Sequence, residues 1–407
     1  MKMKHIGILS IAFMTAWVAA AAQETNVPPI AELPHMAALM NQVEQNNLTL
    51  KAARAETEAI KSANRQESSL PDPEVEFGLL WDDEGTRRFD FSASQSLDAS
   101  VISGRQRALR RSKDCEADGQ YGVLRKEVML QVCTAYINLV SLNALEVNMQ
   151  QNQQEMQSVL KAQQELLSEG RGNIIALNEA QSVLADIAAE LANLQSEQAD
   201  LQSELTQLNG GEAVVVSDTS LPNLLPSALP TMTYDQWVAE NGTSGSEQTL
   251  AMSQTQVARG NVAVARSQAW PQLSVGFMSE KEPDLHYKGV TWGMSIPLWQ
   301  ATRGVKQSKS ELTAAEAKQA QALSDIQARQ RQLFDRARRL CIRANALDQT
   351  VKETDSRALL LKSLEAGRIG VAEFAQGAMT YYEIRSHAIE AVRDSQLAWV
   401  ELMSTIM

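Results

Sequence analysis

The side chains best suited to chemistry are few and scattered. The chain holds four histidines, His5, His35, His286 and His387, none of them spaced to share a metal ion. It has no phosphate loop, dinucleotide fingerprint or nucleophile elbow. Cys115 and Cys133 fall on one expected helix, about 27 Å apart at the helical rise, and so cannot bridge within a chain. Buried free thiols are the expected state, with a Cys133–Cys341 bridge as the alternative. These residues predict no enzyme, no cofactor and no resident metal. One cluster does carry a definite chemistry. Arg105, Arg107, Arg110, Arg111 and Lys113 open a long helical segment, and Arg303, Lys306 and Lys309 open a second. Cations there oppose the helix dipole. Contact with membrane phosphates would compensate them; a solvated face is the alternative.

The segments that would position these residues begin with an export signal. Lys2 and Lys4 precede an apolar run from Ile6 to Val18, and small residues end at Ala22, the pattern of a cleaved signal peptide over 1–22. The formal charge of −12 falls to near −14 without that segment, which argues against nucleic acid as a partner. No other stretch approaches the roughly 18 uninterrupted apolar residues of a helical membrane anchor.

The rest reads as two copies of one pattern, about 200 positions apart. Leu50 matches Leu250, Leu70-Pro71 matches Trp270-Pro271, Val75 and Phe77 match Val275 and Phe277, and Gly104 matches Gly304. With a small deletion Gly170-Arg171 matches Gly367-Arg368. The expected divisions are a first repeat over 23–209, an equatorial linker over 210–245 and a second repeat over 246–407. Each repeat runs helix, strand pair, long helix, glycine turn, return helix. The strand pairs fall at about 73–98 and 272–299.

In the strand pairs the hydrophobic period is two. Val75, Phe77, Leu79, Phe89, Phe91, Val275, Phe277, Trp292, Met294 and Ile296 are expected to face lipid, and Glu74, Glu76, Ser92, Ser94 and Ser274 to face water. Trp81, Tyr287, Trp270 and Trp299 sit at strand ends, where an aromatic girdle would lie. Each strand of roughly nine residues is long enough to cross a bilayer when tilted. Four strands cannot close, and open edges are not tolerated in lipid. Three chains would give twelve strands, a number in the range of bacterial outer-membrane barrels.

After each strand pair the period becomes helical. Leu124, Val128, Val132, Ala135, Leu139 and Leu142 mark one heptad seam; Leu333, Ala337, Leu340, Ala344, Leu347, Val351, Thr354, Ala358 and Leu361 mark the other. The long helices are expected from about Arg105 to Glu169 and from Gly304 to Ala366, each about 95 Å long. Return helices over Ile174–Leu208 and Ala372–Ile406 should stack end to end with ascending helices over His35–Ser69 and Ser246–Ala269. Such a stack approaches one long helix in length, so that together they build a tube wall.

The signal peptide, the Leu70-Pro71 and Trp270-Pro271 strand starts and the Ser295-Ile296-Pro297-Leu298 run together resemble the outer-membrane factor family, the TolC-like efflux channels. The turns Glu169-Gly170-Arg171 to Gln181 and Ala366-Gly367-Arg368 to Gln376 also carry the likeness. The resemblance implies a mixed α/β membrane protein, internally duplicated, with a long α-helical coiled-coil barrel and four membrane β-strands per protomer, closing a 12-stranded barrel as a homotrimer. It implies a passive duct in the outer membrane, docked by a periplasmic adaptor and an inner-membrane pump for efflux or type I secretion. Gly170, Arg171, Gly172, Asn173, Gly367, Arg368, Ile369 and Gly370 would then be the docking turns, and Glu373, Gln376 and Glu179 the pore constriction. The competing reading is a periplasmic coiled-coil adaptor without a membrane barrel, although an adaptor usually shows one long hairpin where this chain shows two.

Overall fold

The computed structural model describes residues 34–81, 87–282, 285–295 and 300–407. The expected export signal, Ile296 and Trp299 lie outside the described residues. Two helices open the chain, α1 (Pro34–Asn46) and α2 (Leu48–Glu67), followed by strands β1 (Glu74–Trp81) and β2 (Arg87–Leu97). Then come α3 (Ala99–Ile102), α4 (Arg105–Ser168), α5 (Ile174–Leu208), α6 (Tyr234–Asn241) and α7 (Ser246–Gln268). Strands β3 (Gln272–Lys281) and β4 (His286–Ser295) precede α8 (Gln300–Glu353), α9 (Arg357–Glu365) and α10 (Val371–Ser404). The four strands form one antiparallel sheet in the order β1-β2-β3-β4. It stands at one end of a helical wall, which we take as the top.

Helix α4 is the spine. Its 64 residues span about 96 Å. It packs against α2 and α7 towards the sheet and against α5 and α10 below. Gly260 and Gly119 let α7 lie close along α4, against Leu109 and facing Leu250 respectively. Lower down, Asn148 of α4 donates to the Tyr382 carbonyl at 3.0 Å, and Arg385 donates to Gln151 at 2.5 Å. The middle of α4, including Val132, Cys133, Tyr136, Ile137, Leu139 and Val140, is buried on nearly every side. Its expected seam is thus one stripe of a fully enclosed section. That enclosure explains a window of mean hydropathy 1.5, apolar enough for a membrane span but 67% buried within the protein.

End-to-end stacking of the helices is direct. The Ser246 N–H that opens α7 donates to the Met407 carbonyl at 2.9 Å. Gly245 sits so close to the Thr405 carbonyl that a Cβ would overlap it. The other copy repeats the joint with different atoms. Asn47 donates to the Leu208 carbonyl at 2.7 Å while its side-chain oxygen accepts from Leu50 N at 2.9 Å. It thereby caps α2 and satisfies an orphan carbonyl at the end of α5. Gly210 lies against the Asn46 carbonyl as Gly245 does against Thr405.

Four expectations are corrected. The ascending helix over His35–Ser69 is two helices, broken at Asn47, because the Asn side chain offers the backbone a cap in place of a continued ladder. The second long helix does not run from Gly304 to Ala366. It starts at Gln300, stops at Glu353, and resumes as α9 after Thr354-Asp355-Ser356. Beyond that break the seam shifts by one residue: Leu360 and Leu364 pack inward, whereas Ala358 and Leu361 are exposed. The Gly104–Gly304 match is not structural, since Gly104 adopts φ 73° between α3 and α4 and Gly304 lies within α8. Cys133 and Cys341 are buried and free, but Cys115 is exposed. Burial pushes the Cys133 thiol up to about 12.

The segment between the repeats holds the wall at the level of these joints. Thr233 and Gln236 form a capping box that starts α6, and Trp237 is fully buried against Tyr234 and Phe334. Asp218 accepts from the Tyr136 hydroxyl at 2.7 Å and pairs with His35 at 3.0 Å. Those contacts hold its carboxyl below the usual range, the Tyr136 hydrogen bond first and His35 after it.

Candidate functional site

The sheet register decides which side chains share a face. Val75 opposes Ala93, which opposes Phe277, which opposes Val290. Phe77 opposes Phe91, Leu79 opposes Phe89, Val275 opposes Trp292, and Leu273 opposes Met294. Directly opposed residues in an antiparallel sheet project on the same side. The described residues expected to face lipid therefore share one face. Phe77, Trp81 and Trp292 are 70%, 72% and 83% exposed, so nothing among the described residues covers them. Gln95 is the polar side chain within that apolar field, and its amide donates to the Pro71 carbonyl at 2.8 Å.

The apolar band crosses the sheet on a diagonal. On β1 it extends up to Trp81, and on β2 to Phe89, which faces Leu79. On β3 and β4 it ends at Phe277 and Val290, level with Val75; above them on the same face come Ser279 and Lys288, then Lys281 and His286. The upper edge thus drops six residues across three strand gaps, about 20 Å along the strand over about 14 Å across it. The lower edge drops in the same sense, from Val75 on β1 to Leu97, Leu273 and Met294, which stand four residues lower. Both edges slope at roughly 40–55° to the perpendicular of the strands, close to the 35–45° tilt of strands in membrane barrels. A flat hydrocarbon slab crossed by tilted strands would produce such a sheared field.

The opposite face is mostly polar or small, with Leu80, Met278 and Tyr287 as its large apolar exceptions, so Tyr287 does not join the apolar face as a girdle residue. This second face presents Glu74, Glu76, Ser92, Ser94 and Ser274, with Gly276, Gly289 and Gly293 among them. Arg88 bridges Asp90 at 3.1 Å and pairs with Glu280 across β2 and β3. The outer edges of β1 and β4 carry no partner strand among the described residues.

At the far end of the wall are two glycine turns. After α4, Gly170 takes φ 72°, Gly170 N donates to Leu167 O at 3.0 Å and Arg171 N to Leu166 O at 3.0 Å. That is a Schellman closure, which needs the left-handed residue that glycine supplies. Gly172 lies against the Leu167 backbone with no room for a Cβ, Asn173 caps α5 through Ile175 N at 2.9 Å, and Arg171 pairs with Glu169. The second turn repeats the closure with Gly367 at φ 66° and Arg368 N donating to Ser363 O at 2.8 Å. Ile369 packs on the lower apolar cluster. Glu373 accepts from Gly370 N at 3.2 Å, so one carboxylate oxygen caps α10 while the side chain stays exposed. Gln376 is exposed one turn on, and Glu179 is half-buried on α5.

Sequence reading missed the residue that ties the helix break together. Arg357 donates to both Asp355 oxygens at 2.9 Å, to Glu155 of α4 at 3.2 Å and to the Tyr382 hydroxyl at 3.2 Å. Its guanidinium stacks over Tyr381 at 4.2 Å. Asp355 first, then Tyr382 and Tyr381, raise the pKa of Arg357, and Arg357 in turn holds that of Asp355 down. The run Thr354-Asp355-Ser356 is the local signal, since all three side chains compete with the helical ladder.

No protein-family model and no curated protein matches the chain. Solved structures do. A membrane protein from Pseudomonas aeruginosa aligns at TM-score 0.74 and 12% identity, covering 92% of this chain and 94% of its own. The Campylobacter jejuni CmeC outer membrane channel aligns at TM-score 0.73 and 12% identity, covering 92% and 85%. The outer membrane protein VceC from Vibrio cholerae aligns at TM-score 0.69 and 14% identity, covering 91% and 94%. At such identities the likeness resides in architecture: this chain has the helical-wall and four-stranded-sheet fold of the TolC-like outer-membrane channels.

Proposed function

We propose that the protein is the outer-membrane channel of a tripartite export system, a passive duct from periplasm to exterior, assembled as a homotrimer. The observation that carries this reading is the slanted apolar band on a sheet with two open edges. Such a band fits tilted strands in lipid, and such edges must be closed by other copies. Three copies give twelve strands and turn the helical wall into a cylinder. The apolar face then meets outer-membrane lipid, and the polar face lines the lumen. The turns around Gly170 to Asn173 and Gly367 to Gly370 form the periplasmic mouth. There they are the proposed docking site for an adaptor that also engages an inner-membrane pump. Glu373, Gln376 and Glu179 are the proposed constriction residues, and a ring of three Glu373 carboxylates would favour cations in a narrow pore.

Fractionation, cross-linking and conductance test the reading together. The expected result is a protein in the outer-membrane fraction that cross-links as a trimer and conducts in planar bilayers. A monomer released with soluble periplasmic proteins would instead establish the adaptor or scaffold reading.

A further inference from the structure

At the foot of the sheet, between the end of α2 and the start of α4, lies a cleft of about 500 Å3. Arg65, Arg107 and Arg110 line it from two helices, with Leu70, Val101 and Ile102 as its apolar wall. We infer that this cleft binds the phosphodiester headgroup of an anionic phospholipid in the periplasmic leaflet, an inference that rests on the proposed membrane placement.

The charge is not neutralised from within. Among the described residues no carboxylate lies within 4.0 Å of Arg65 or Arg107, and Arg110 has only Asp114 at 3.9 Å. Asp114 is itself engaged by Asn64 at 2.9 Å, and Glu67 by Lys113 at 2.5 Å. The Arg110 Nε is buried without a hydrogen-bond partner. The first turn of α4 has no side-chain cap at Gly104, so its dipole adds positive potential to the same place. Three guanidiniums with unused donors match phosphate oxygens, which accept charge-assisted pairs. The hydroxyls of Ser68 and Ser69 already donate to the Arg65 carbonyl at 2.9 and 3.0 Å, so recognition falls to the arginines.

Position selects a lipid over a free anion. Leu70 and Ile102 are 44% and 63% exposed beside the cleft. Leu70 lies just before β1, and Ile102 just after Leu97, which belongs to the lowest apolar row. An acyl chain rising from a bound phosphate would therefore run over Ile102 and Leu70 onto the apolar face. The cleft stands where the hydrocarbon ends, at the depth of the phosphates.

Native mass spectrometry of the detergent-purified trimer, titrated with phosphatidylglycerol, tests this. We expect up to one retained lipid per protomer and a loss of affinity of about tenfold or more in R107Q and in R65Q/R107Q, the scale of one or more charge-assisted contacts. R111Q removes an equal charge outside the cleft and should bind as the unaltered protein does. Equal retention in R107Q, whose side chain is exposed and whose fold is not at issue, overturns the inference. So does displacement of the lipid by millimolar inorganic phosphate, which would mark a free-anion site. Conductance of the same preparations in zwitterionic bilayers reports on the channel separately: a conducting trimer with no lipid preference refutes only the cleft.

Discussion

Substituting arginine at Phe77 and at Ser279 tests the slanted band with two residues of a single row. Both belong to the row that Phe91 joins, and both project on the same face. If the apolar field were level across the sheet, the two positions would have equal depth. On the diagonal, Phe77 lies near the middle of the β1 stretch between Val75 and Trp81, whereas Ser279 lies above the last apolar residue of β3, Phe277. An arginine near the bilayer midplane of a barrel costs about 2–4 kcal/mol and one near the interface about 0–1 kcal/mol. Phe77→Arg should thus lower the folding equilibrium by roughly 30-fold to 1000-fold per protomer, and Ser279→Arg by at most about fivefold. A trimer carries either change three times. Refolding into lipid vesicles over a urea series, read as the fraction of heat-stable trimer, separates these outcomes. Ser94→Arg, on the polar face, should behave as Ser279→Arg does. Equal losses at Phe77 and Ser279, or a harmless Phe77→Arg, would refute the diagonal band and with it the tilted membrane strands.

Three further perturbations follow from named contacts. Asn47→Ala removes a helix cap worth about 1 kcal/mol and leaves the Leu208 carbonyl unpaired at about 1–3 kcal/mol; a lowered midpoint of thermal trimer dissociation is expected, and Asn47→Asp should retain the cap and lose only the Leu208 bond. Glu373→Gln keeps an acceptor for the Gly370 N–H and removes the charge, so cation preference in low-salt bilayer recordings should fall with trimer stability unchanged; unaltered selectivity would exclude Glu373 from the constriction. Because the folded-state pKa of Asp218 is depressed, its contribution is complete above the ordinary carboxylate range near pH 4 and is lost as pH falls below it. Hydrogen-exchange protection over residues 214–221, corrected for the intrinsic pH dependence of amide exchange, should fall at pH 3 relative to pH 6 more than elsewhere in the 210–245 linker, and Asp218→Asn should abolish that difference.

What was legible from sequence was whatever hydrophobic period writes down. The strands, both long segments, the glycine turns and the duplication all follow from alternation, heptad spacing and Gly-Arg pairs. The two helix breaks did not follow, because Asn47 and Thr354-Asp355-Ser356 act through side-chain hydrogen bonds that leave the apolar period nearly intact. The shift from Leu361 to Leu360 and Leu364 could not be counted without that break. The α6 helix was legible in principle, since Thr233 and Gln236 have capping-box spacing and Trp237 follows at once. The faces of the strands could be assigned residue by residue, but the diagonal across them depends on register between strands, which no single segment contains. The same holds for the joining of Arg65 to Arg107 and Arg110, and of Arg357 to Glu155 and Tyr382.

The break at Thr354 to Ser356 makes the two repeats mechanically unlike. From sheet to turn the first limb is the single rod α4, whose bending stiffness is that of an uninterrupted helix. The second limb is a jointed member, with three residues of non-helical backbone spanned by the contacts of one guanidinium. A load applied at the two turns would leave the first limb nearly undeflected and concentrate its strain at Arg357. Within the two long limbs this knee is therefore the more compliant point, braced against α4 through Arg357 and Glu155 and through the apolar cluster that both repeats share below it.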